Sequence, residues 1–289
     1  MNTRRQNFIF RPEVDLEEFG QYLYERENAQ ATVKKYLTDI RTFVKYMDGK
    51  NEIDKEQILN YKEWLLGHYA PGSINSMLVA LNQFLEFLGA GRLKVRRVKV
   101  QKQIFLSEEK NLTKEDYNRL RDTALINGKE QLALIIEVIA STGIRVSELR
   151  YFTAEQVRKG RIEVFNKEKY RRILIPELLR KKLLCYLGKN SIRKGFIFTT
   201  RNGNPKDRSN LWGEMKALCR DAGVEAEKVF PHNLRHLFAR TYYRTTKDLA
   251  GLADLLGHSS LEITRIYTAN TGLEYQIQMN MLGTVFLKQ

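Results

Sequence analysis

The chain has 289 residues, of which 43% are hydrophobic and 29% are charged. This balance is typical of a folded globular protein and excludes global disorder. The length favours two domains, and no apolar run approaches the roughly 18 residues that a membrane span needs. The formal net charge of +15 predicts a polyanionic partner.

Cys185 and Cys219 are too few for a disulfide framework, and we expect both to be small buried hydrophobes. The N-terminus shows no leader pattern, so we expect a cytoplasmic protein.

The first ninety residues predict a bundle of four short helices. Apolar residues recur there at helical spacing in four stretches that turn-forming residues separate. The four stretches run over 16–23, 36–47, 58–65 and 77–88. This region contains no cluster of chemically reactive side chains, and we expect residues 1–90 to form one small helical domain.

A basic segment follows the predicted bundle. Residues 91–102 contain six basic side chains and no acidic one. A run of charge is most often a solvated face, but the large net charge makes nucleic acid the better interpretation. Basic and apolar residues alternate as they do in a strand, yet a position between two helical regions favours an extended linker over 91–107. The basic residues that we expect to contact DNA are Arg92, Lys94, Arg96, Arg97 and Lys99.

The second half of the chain predicts helices around a small β-structure. Thr113, with acidic residues behind it, predicts the start of a helix that runs to about Ile126. A second helix is expected from Lys129 to Ser141, and Gly143 is its expected stop. Residues 161–165 and 171–175 predict a β-hairpin around a polar turn at 166–170, and residues 196–198 predict a further short strand. Further helices are predicted over 209–222, 232–245, 248–256, 260–268 and 273–287. The expected fold class is mainly α with a small β-sheet.

A histidine and an arginine form the centre of the candidate site. His232 and Arg235 are three residues apart, which places both side chains on one face of a helix. A guanidinium can bind two phosphate oxygens at once, and an imidazole can exchange protons near neutral pH. The sequence shows neither a metal-ligand spacing nor a nucleotide-binding loop, so we expect no metal and no cofactor.

Four short motifs in order along the chain resemble those of the tyrosine recombinase (integrase) family. They are STGIRVSEL at 141–149, PHNLR at 231–235, LLGHSS at 255–260 and TRIYT at 264–268. The resemblance covers the whole chain. It implies an N-terminal helical core-binding (SAM-like) bundle over 1–90, a basic linker over 91–107 and an α+β catalytic domain over 108–289. The last segment, 273–289, would be an exchange helix that docks on a neighbouring protomer.

The resemblance also implies a role for each candidate residue. Arg145 and Arg235 would clamp the nonbridging oxygens of the scissile phosphate. His232 would transfer protons, and His258 would hydrogen-bond the phosphate. Tyr267 would be the nucleophile.

Two further positions complete the implied site. Glu148, three residues after Arg145, matches the acidic position that supports the site. The catalytic lysine of the family lies in the hairpin turn, where Lys167 aligns and Lys169 is the alternative.

The implied activity is site-specific recombination of double-stranded DNA, through a covalent 3′-phosphotyrosyl intermediate and a Holliday junction. The implied assembly is a homo-tetramer on two DNA sites, with a monomer or dimer in the absence of DNA. A second, different recombinase stays open as a hetero-partner. No arm-binding domain is expected, which favours an Xer-like or transposon-type enzyme. Two alternatives stay open: a catalytically silent DNA-binding recombination factor, and a DNA relaxer similar to type IB topoisomerases.

Overall fold

The computed structural model describes residues 8–99, 111–166, 169–258, 261–264 and 280. These residues are mainly helical with two small two-stranded sheets, which confirms the predicted fold class. The chain divides into two compact units, Met1–Lys102 and Gln103–Gln289. The assignment of a core-binding domain, a linker and a catalytic domain to particular residues stays a prediction. No helix in the described part of the chain is long and apolar enough to cross a membrane.

The first unit contains the four predicted helices. Its core is rich in aromatic rings, and the ring of Phe84 makes edge-to-face contacts with those of Phe10 and Phe19. Asp54 caps the third helix by accepting a hydrogen bond from the backbone of Gln57. The helices are α1 (Pro12–Glu25), α2 (Gln30–Met47), α3 (Lys55–His68) and α4 (Pro71–Phe87), and the strands β1 (Phe8–Ile9) and β2 (Glu52–Ile53) pair antiparallel. These two strands were not predicted, because two residues are too few to show an alternating pattern.

The basic segment packs on the first unit as far as it is described. Gly91–Leu93 forms a 3₁₀ turn, and residues 94–99 continue without regular secondary structure. Leu93 and Val95 are buried in the core of the first unit. The described part of the segment forms no strand, as expected, but it packs against the helices of the first unit.

The second unit begins with two helices whose ends match their predicted signals. Thr113 caps the first through a capping box with Asp116. The second ends at Thr142, and Gly143 takes the left-handed conformation after it. The predicted hairpin is also confirmed, with a register that pairs Asn166 with Lys169. The elements are α5 (Lys114–Ile126), α6 (Glu130–Thr142), a 3₁₀ helix (Val146–Tyr151), α7 (Ala154–Lys159), β3 (Arg161–Asn166), β4 (Lys169–Leu174), α8 (Glu177–Lys189), α9 (Arg208–Lys216), α10 (Cys219–Ala222), α11 (Pro231–Thr246), α12 (Leu249–Leu256) and α13 (Leu261–Thr264).

Three predictions for the second unit were wrong. Residues 196–198 do not form a strand, because Phe196 makes only an isolated bridge to Thr153 and β3 and β4 form a sheet of two strands. The helix expected over 209–222 is two helices, α9 and α10, with a break at 217–218. Cys185 is exposed, on the solvent side of α8, whereas Cys219 is buried as expected.

The C-terminal predictions are covered only in part. Of the helix expected over 260–268, the structure describes α13. The helix expected over 273–287, and with it the exchange segment 273–289, lies outside the described residues except for Asn280. Helices α7 and α8 were not predicted.

Candidate active site

The structure brings together four of the six predicted catalytic residues. Arg145 follows α6, His232 and Arg235 lie in the first turns of α11, and His258 follows α12. Three separate segments of the second unit therefore converge on one small region. The other two predicted catalytic residues, Lys167 and Tyr267, lie outside the described residues. Lys169 is the first residue of β4, and its side chain is not described.

Arg235 is the buried centre of this region. Only 1% of the residue is exposed, so its charge must be compensated by hydrogen bonds. Nη1 donates to the carbonyl of Gly143 at 2.5 Å, and Nη2 donates to the carbonyl of Leu256 at 2.8 Å. Nη2 also lies 2.9 Å from Nε2 of His258. Arg235 therefore ties the ends of α6 and α12 to the start of α11.

Gly143 is required at the end of α6 for two reasons. Its φ of +64° is a conformation that residues with a side chain rarely adopt. A Cβ at this position would also lie 2.4 Å from Cδ1 of Phe238. The missing side chain lets α11 approach closely, so that Arg235 reaches the carbonyl of residue 143.

The hydrogen bonds of His258 define its tautomer. A guanidinium has no acceptor atom, so Nε2 of His258 accepts from Arg235. The proton of the neutral ring is then on Nδ1, which lies 2.8 Å from Oγ1 of the buried Thr264 and donates to it. Burial, and the positive charges of Arg235 and Arg145, lower the pKa of His258 to about 4. The ring is therefore neutral at physiological pH.

Glu148 fixes both the backbone and the side chain of Arg145. The carboxylate is buried, with 3% of the side chain exposed. Its Oε2 accepts from the backbone N–H of Arg145 at 2.7 Å, and its Oε1 lies 3.5 Å from Nη1 of the same arginine. Arg171 of β4 donates to Oε2 at 2.7 Å. One carboxylate therefore serves two arginines, and the side chain of Arg145 remains 40% exposed.

The C-terminal end of α12 collects three guanidinium groups. The carbonyls of residues 255, 256 and 257 accept hydrogen bonds, in that order, from Arg171 at 2.5 Å, Arg235 at 2.8 Å and Arg145 at 3.4 Å. These carbonyls have no partner inside the helix and carry the negative end of its dipole. The helix end therefore offsets the repulsion among three positive charges.

His232 and His236 pack edge-to-face, one turn apart on α11. Their ring centroids are 4.7 Å apart at an interplanar angle of 88°. His232 is exposed to solvent, but neighbouring protein atoms desolvate its ring, and this desolvation with the charges of Arg235 and Arg145 lowers its pKa. Burial lowers the pKa of His236 to about 4. Both rings are therefore neutral near pH 7, and His232 can accept a proton there.

An open cleft of about 960 Å³ extends from Arg145 and His232. The cationic side chains of Arg150 and Arg208 line it, and Trp212 forms part of its wall. The indole of Trp212 is half exposed. Cations beside an exposed aromatic ring are typical of surfaces that bind nucleic acid. Among the described residues, no group of three His, Cys, Asp or Glu side chains is placed to hold a metal ion.

The first unit presents a second basic surface, formed by the segment 94–99. Two asparagines of α4 hold this segment through paired hydrogen bonds. The amide of Asn82 bonds the N–H and the carbonyl of Val95 at 2.9 and 2.8 Å, and the amide of Asn75 bonds those of Val98 at 2.7 and 3.0 Å. Seven helical residues rise about 10.5 Å, and three residues of extended chain span about 9 Å. The two asparagines therefore match two valines three residues apart.

The five basic residues predicted to contact DNA differ in their surroundings. Lys94 forms an ion pair with Glu86. Arg92 lies over the ring of Phe8, with 5.0 Å between its Cζ and the ring centroid. The other three side chains are exposed and make no ion pair within the part of the chain that the structure describes. These three are Arg96, Arg97 and Lys99.

The fold and the site together define a class of protein. In the second unit, Arg145 and His232 line a basic cleft, and Arg235 is hydrogen-bonded to His258. Guanidinium groups that can bind phosphate oxygens and imidazoles that can move protons are what an enzyme that breaks and rejoins phosphodiesters needs. Residues 110–273 match the phage integrase family, and residues 16–90 match the N-terminal SAM-like domain of phage integrases. The chain belongs to the phage integrase family, so the resemblance predicted from its motifs is confirmed.

Relatives and solved structures agree with this membership. Tyrosine recombinase XerA of Thermococcus kodakarensis is 30% identical over 272 residues, which cover 90% of this chain and 92% of the relative. Tyrosine recombinase XerA of Pyrococcus furiosus is 29% identical over 265 residues, with 89% of each chain covered. The fold resembles that of a lambda integrase tetramer bound to a Holliday junction, with a TM-score of 0.71, 18% identity, and coverage of 92% of this chain and 78% of that one.

Proposed function

We propose that this protein is a site-specific DNA recombinase, which cuts and rejoins strands through a covalent link between Tyr267 and DNA. The observation that carries the proposal is the convergence of Arg145, His232, Arg235 and His258 beside a basic cleft. The two arginines bind the nonbridging oxygens of the scissile phosphate. The charge that develops on those oxygens in the transition state is stabilised by groups already held in place.

The chemical step is an exchange of phosphodiester bonds. The phenol oxygen of Tyr267 attacks phosphorus, a new P–O bond forms, and the bond to the 5′ oxygen of the next nucleotide breaks. The proton of the phenol passes to His232, whose lowered pKa keeps its ring unprotonated before the reaction. The departing 5′ oxygen takes a proton from Lys167, with Lys169 as the alternative donor. The 3′-phosphotyrosyl link keeps the energy of the broken bond, and a 5′ hydroxyl from another strand reverses the reaction.

The proposed working form is a homo-tetramer on two duplex DNA sites in the cytoplasm, with a monomer or dimer in free solution and a second recombinase allowed as a partner. The segment 273–289 docks on the neighbouring protomer and so couples assembly to cleavage. Truncation after Gly272 is therefore expected to leave binding to a single duplex intact and to abolish joined complexes of two duplexes in a gel-shift assay. A truncated protein that joins two duplexes at the normal rate would contradict the docking role.

A pool of nicked DNA duplexes of randomised sequence tests the activity. Cleavage next to the nick releases a short fragment, so religation fails and the protein stays covalently attached to DNA. Adducts that survive denaturing gel electrophoresis are sequenced to identify the site. The wild-type protein is expected to form adducts, and Tyr267→Phe is expected to form none while it binds the selected duplex normally.

The same assay separates the alternatives. A catalytically silent recombination factor would bind duplexes without any covalent adduct. A relaxer similar to type IB topoisomerases would form adducts with no sequence preference and would not join two duplexes. Adducts that retain one sequence, together with strand exchange between two duplexes carrying it, support recombination.

A further inference from the structure

Arg171 is a largely buried cation to which the proposed reaction gives no role. It lies on β4, and only 12% of its side chain is exposed. Nη2 donates to Oε2 of Glu148 at 2.7 Å, and Nη1 donates to the carbonyl of Leu255 at 2.5 Å. Burial lowers the pKa of Arg171, and the carboxylate of Glu148 opposes that shift. Removing a charge from water costs free energy, so an arginine at this position has a role other than keeping the protein soluble.

The partners of Arg171 belong to different parts of the candidate site. Glu148 accepts from the backbone and side chain of Arg145, and Leu255 lies three residues before His258 at the end of α12. The stem of Arg171 also packs against Gly257, where a Cβ would lie 2.6 Å from its Cδ. One side chain therefore contacts the support of the phosphate-binding arginine and the segment that leads to the histidine.

A second contact ties the same hairpin to the same 3₁₀ helix. The hydroxyl of Tyr151 donates to the carbonyl of Phe165, at the end of β3, with 2.6 Å between the oxygens. Both strands are thus bonded to Val146–Tyr151, one through Arg171 and Glu148 and the other through Tyr151. Residues 167 and 168 connect these two strands, and the proposed general acid is in or next to that connection.

We propose that Arg171 is a positioning residue, which sets Arg145, His258 and the hairpin in one fixed arrangement. It does not touch the DNA. The inference rests on the proposed function, because a fixed arrangement matters only if these groups act on one phosphate. The planar fork of a guanidinium is needed, since two of its nitrogens must donate in different directions at the same time, and a single ammonium group cannot reproduce that geometry.

The test is Arg171→Lys, with Arg172→Lys as its matched control. Lysine keeps a positive charge beside buried Glu148, which favours a folded variant, but it cannot hold both partners as arginine does. Arg172 is the next residue of β4, points to the other face of the strand and is exposed. Both variants are compared with the wild-type protein on the duplex selected by covalent trapping, at saturating protein and in a single turnover.

The expected result is a split between binding and chemistry. Arg171→Lys slows formation of the covalent adduct by about 100-fold, because a small misplacement of catalytic groups has an effect of that order, while the dissociation constant for the duplex stays unchanged. Arg172→Lys leaves both quantities unchanged. Wild-type adduct formation is the internal reference: without it the proposed function fails, whereas normal adduct formation by Arg171→Lys overturns only the positioning role.

Thermal unfolding and a double substitution exclude a merely structural role. If Arg171→Lys melts earlier but cleaves at the wild-type rate while folded, Arg171 contributes only to stability and the inference is wrong. Glu148→Gln is then combined with Arg171→Lys. If Arg171 acts through Glu148, the combined loss of rate is smaller than the product of the two single losses; a full product would contradict the proposed path. If Arg171→Lys does not fold, a double variant that carries Glu148→Gln and Arg171→Gln is used instead, because it removes both charges of the pair. Its rate of adduct formation is compared with that of Glu148→Gln alone.

Discussion

The basic segment of the first unit gives a prediction that needs no knowledge of the DNA site. Arg96, Arg97 and Lys99 are exposed on a stretch that Asn75 and Asn82 hold in place. Basic side chains on such a stretch meet phosphates rather than base edges. Replacing all three with glutamine should therefore weaken binding to any duplex, and should do so mainly by changing its dependence on salt.

The magnitude follows from the number of phosphates neutralised. Each contact with duplex DNA contributes about −0.9 to the slope of log K against log salt concentration. Three lost contacts make the slope shallower by about 2.7. Between about 50 and 200 mM salt, the wild-type protein should then lose about 40-fold more affinity than the triple variant loses.

Fluorescence anisotropy with one labelled duplex, repeated over this salt range, measures the slope. Lys94→Gln is the matched control, because Lys94 is in the same segment but is paired with Glu86. It should change the slope by clearly less than the value of about 0.9 that one lost phosphate contact gives. A triple variant with an unchanged slope would mean that the segment 94–99 does not meet DNA, and an equal effect of Lys94→Gln per charge would mean that the ion pair does not matter.

A further variant separates charge from order. Asn82→Ala keeps every positive charge but removes two hydrogen bonds to Val95, each of about 1 kcal/mol. If the segment must then be ordered again on binding, affinity falls by up to about 30-fold, the equivalent of 2 kcal/mol. The salt slope stays near that of the wild-type protein, because the same phosphates are still neutralised. A salt slope that becomes shallower as the affinity falls would show that the basic side chains of the loosened segment no longer reach DNA.

Three more outcomes are expected, two of them on the selected duplex and one for the stability of the protein alone. Lys167→Ala should lose cleavage and regain it on a substrate with a 5′-bridging phosphorothiolate, whose sulfur leaves without a proton; rescue of Lys169→Ala instead would move the general acid to that residue. Thr264→Val should slow covalent adduct formation about tenfold, the effect of one lost hydrogen bond of about 1.4 kcal/mol, and Thr264→Ser should not, since only a hydroxyl accepts the Nδ1 proton of His258. The pKa of His236 and that of His258 are about 4 in the folded protein and about 6.5 when unfolded. Between pH 4 and pH 6.5 the unfolded protein therefore binds more protons than the folded protein. The free energy of unfolding in urea should be level above pH 6.5 and fall towards pH 4, by up to about 1.4 kcal/mol per pH unit for each ring. His236→Gln should remove one such contribution, and an unchanged pH slope would contradict its lowered pKa.

The parts of the fold that sequence reasoning found are those with a local signal. The four helices of the first unit show apolar spacing over three or more turns, and the ends of α5 and α6 carry Thr113 and Gly143, whose side chain or lack of one acts within the same turn. The stretch 196–198 was misjudged because its apolar residues look like those of a strand, whereas a strand also needs a partner elsewhere in the chain. Cys185 was misjudged for a similar reason, since its type favours burial but its position on α8 faces solvent.

The candidate site contains residues with a local sequence signal and at least one residue without such a signal. Arg145, His232, Arg235 and His258 are found from motifs, because each stands at a fixed distance from residues that identify it. Arg171 has no such signal: its partners are 23 and 84 residues away, and the neighbouring Arg172 looks the same in sequence. Only the pairing of β3 with β4 decides which of the two points inward. Glu148 supports the site and has a spacing signal, because it stands three residues after Arg145. Arg171 has none, and finding it depends on knowing which carboxylate and which helix end lie opposite β4.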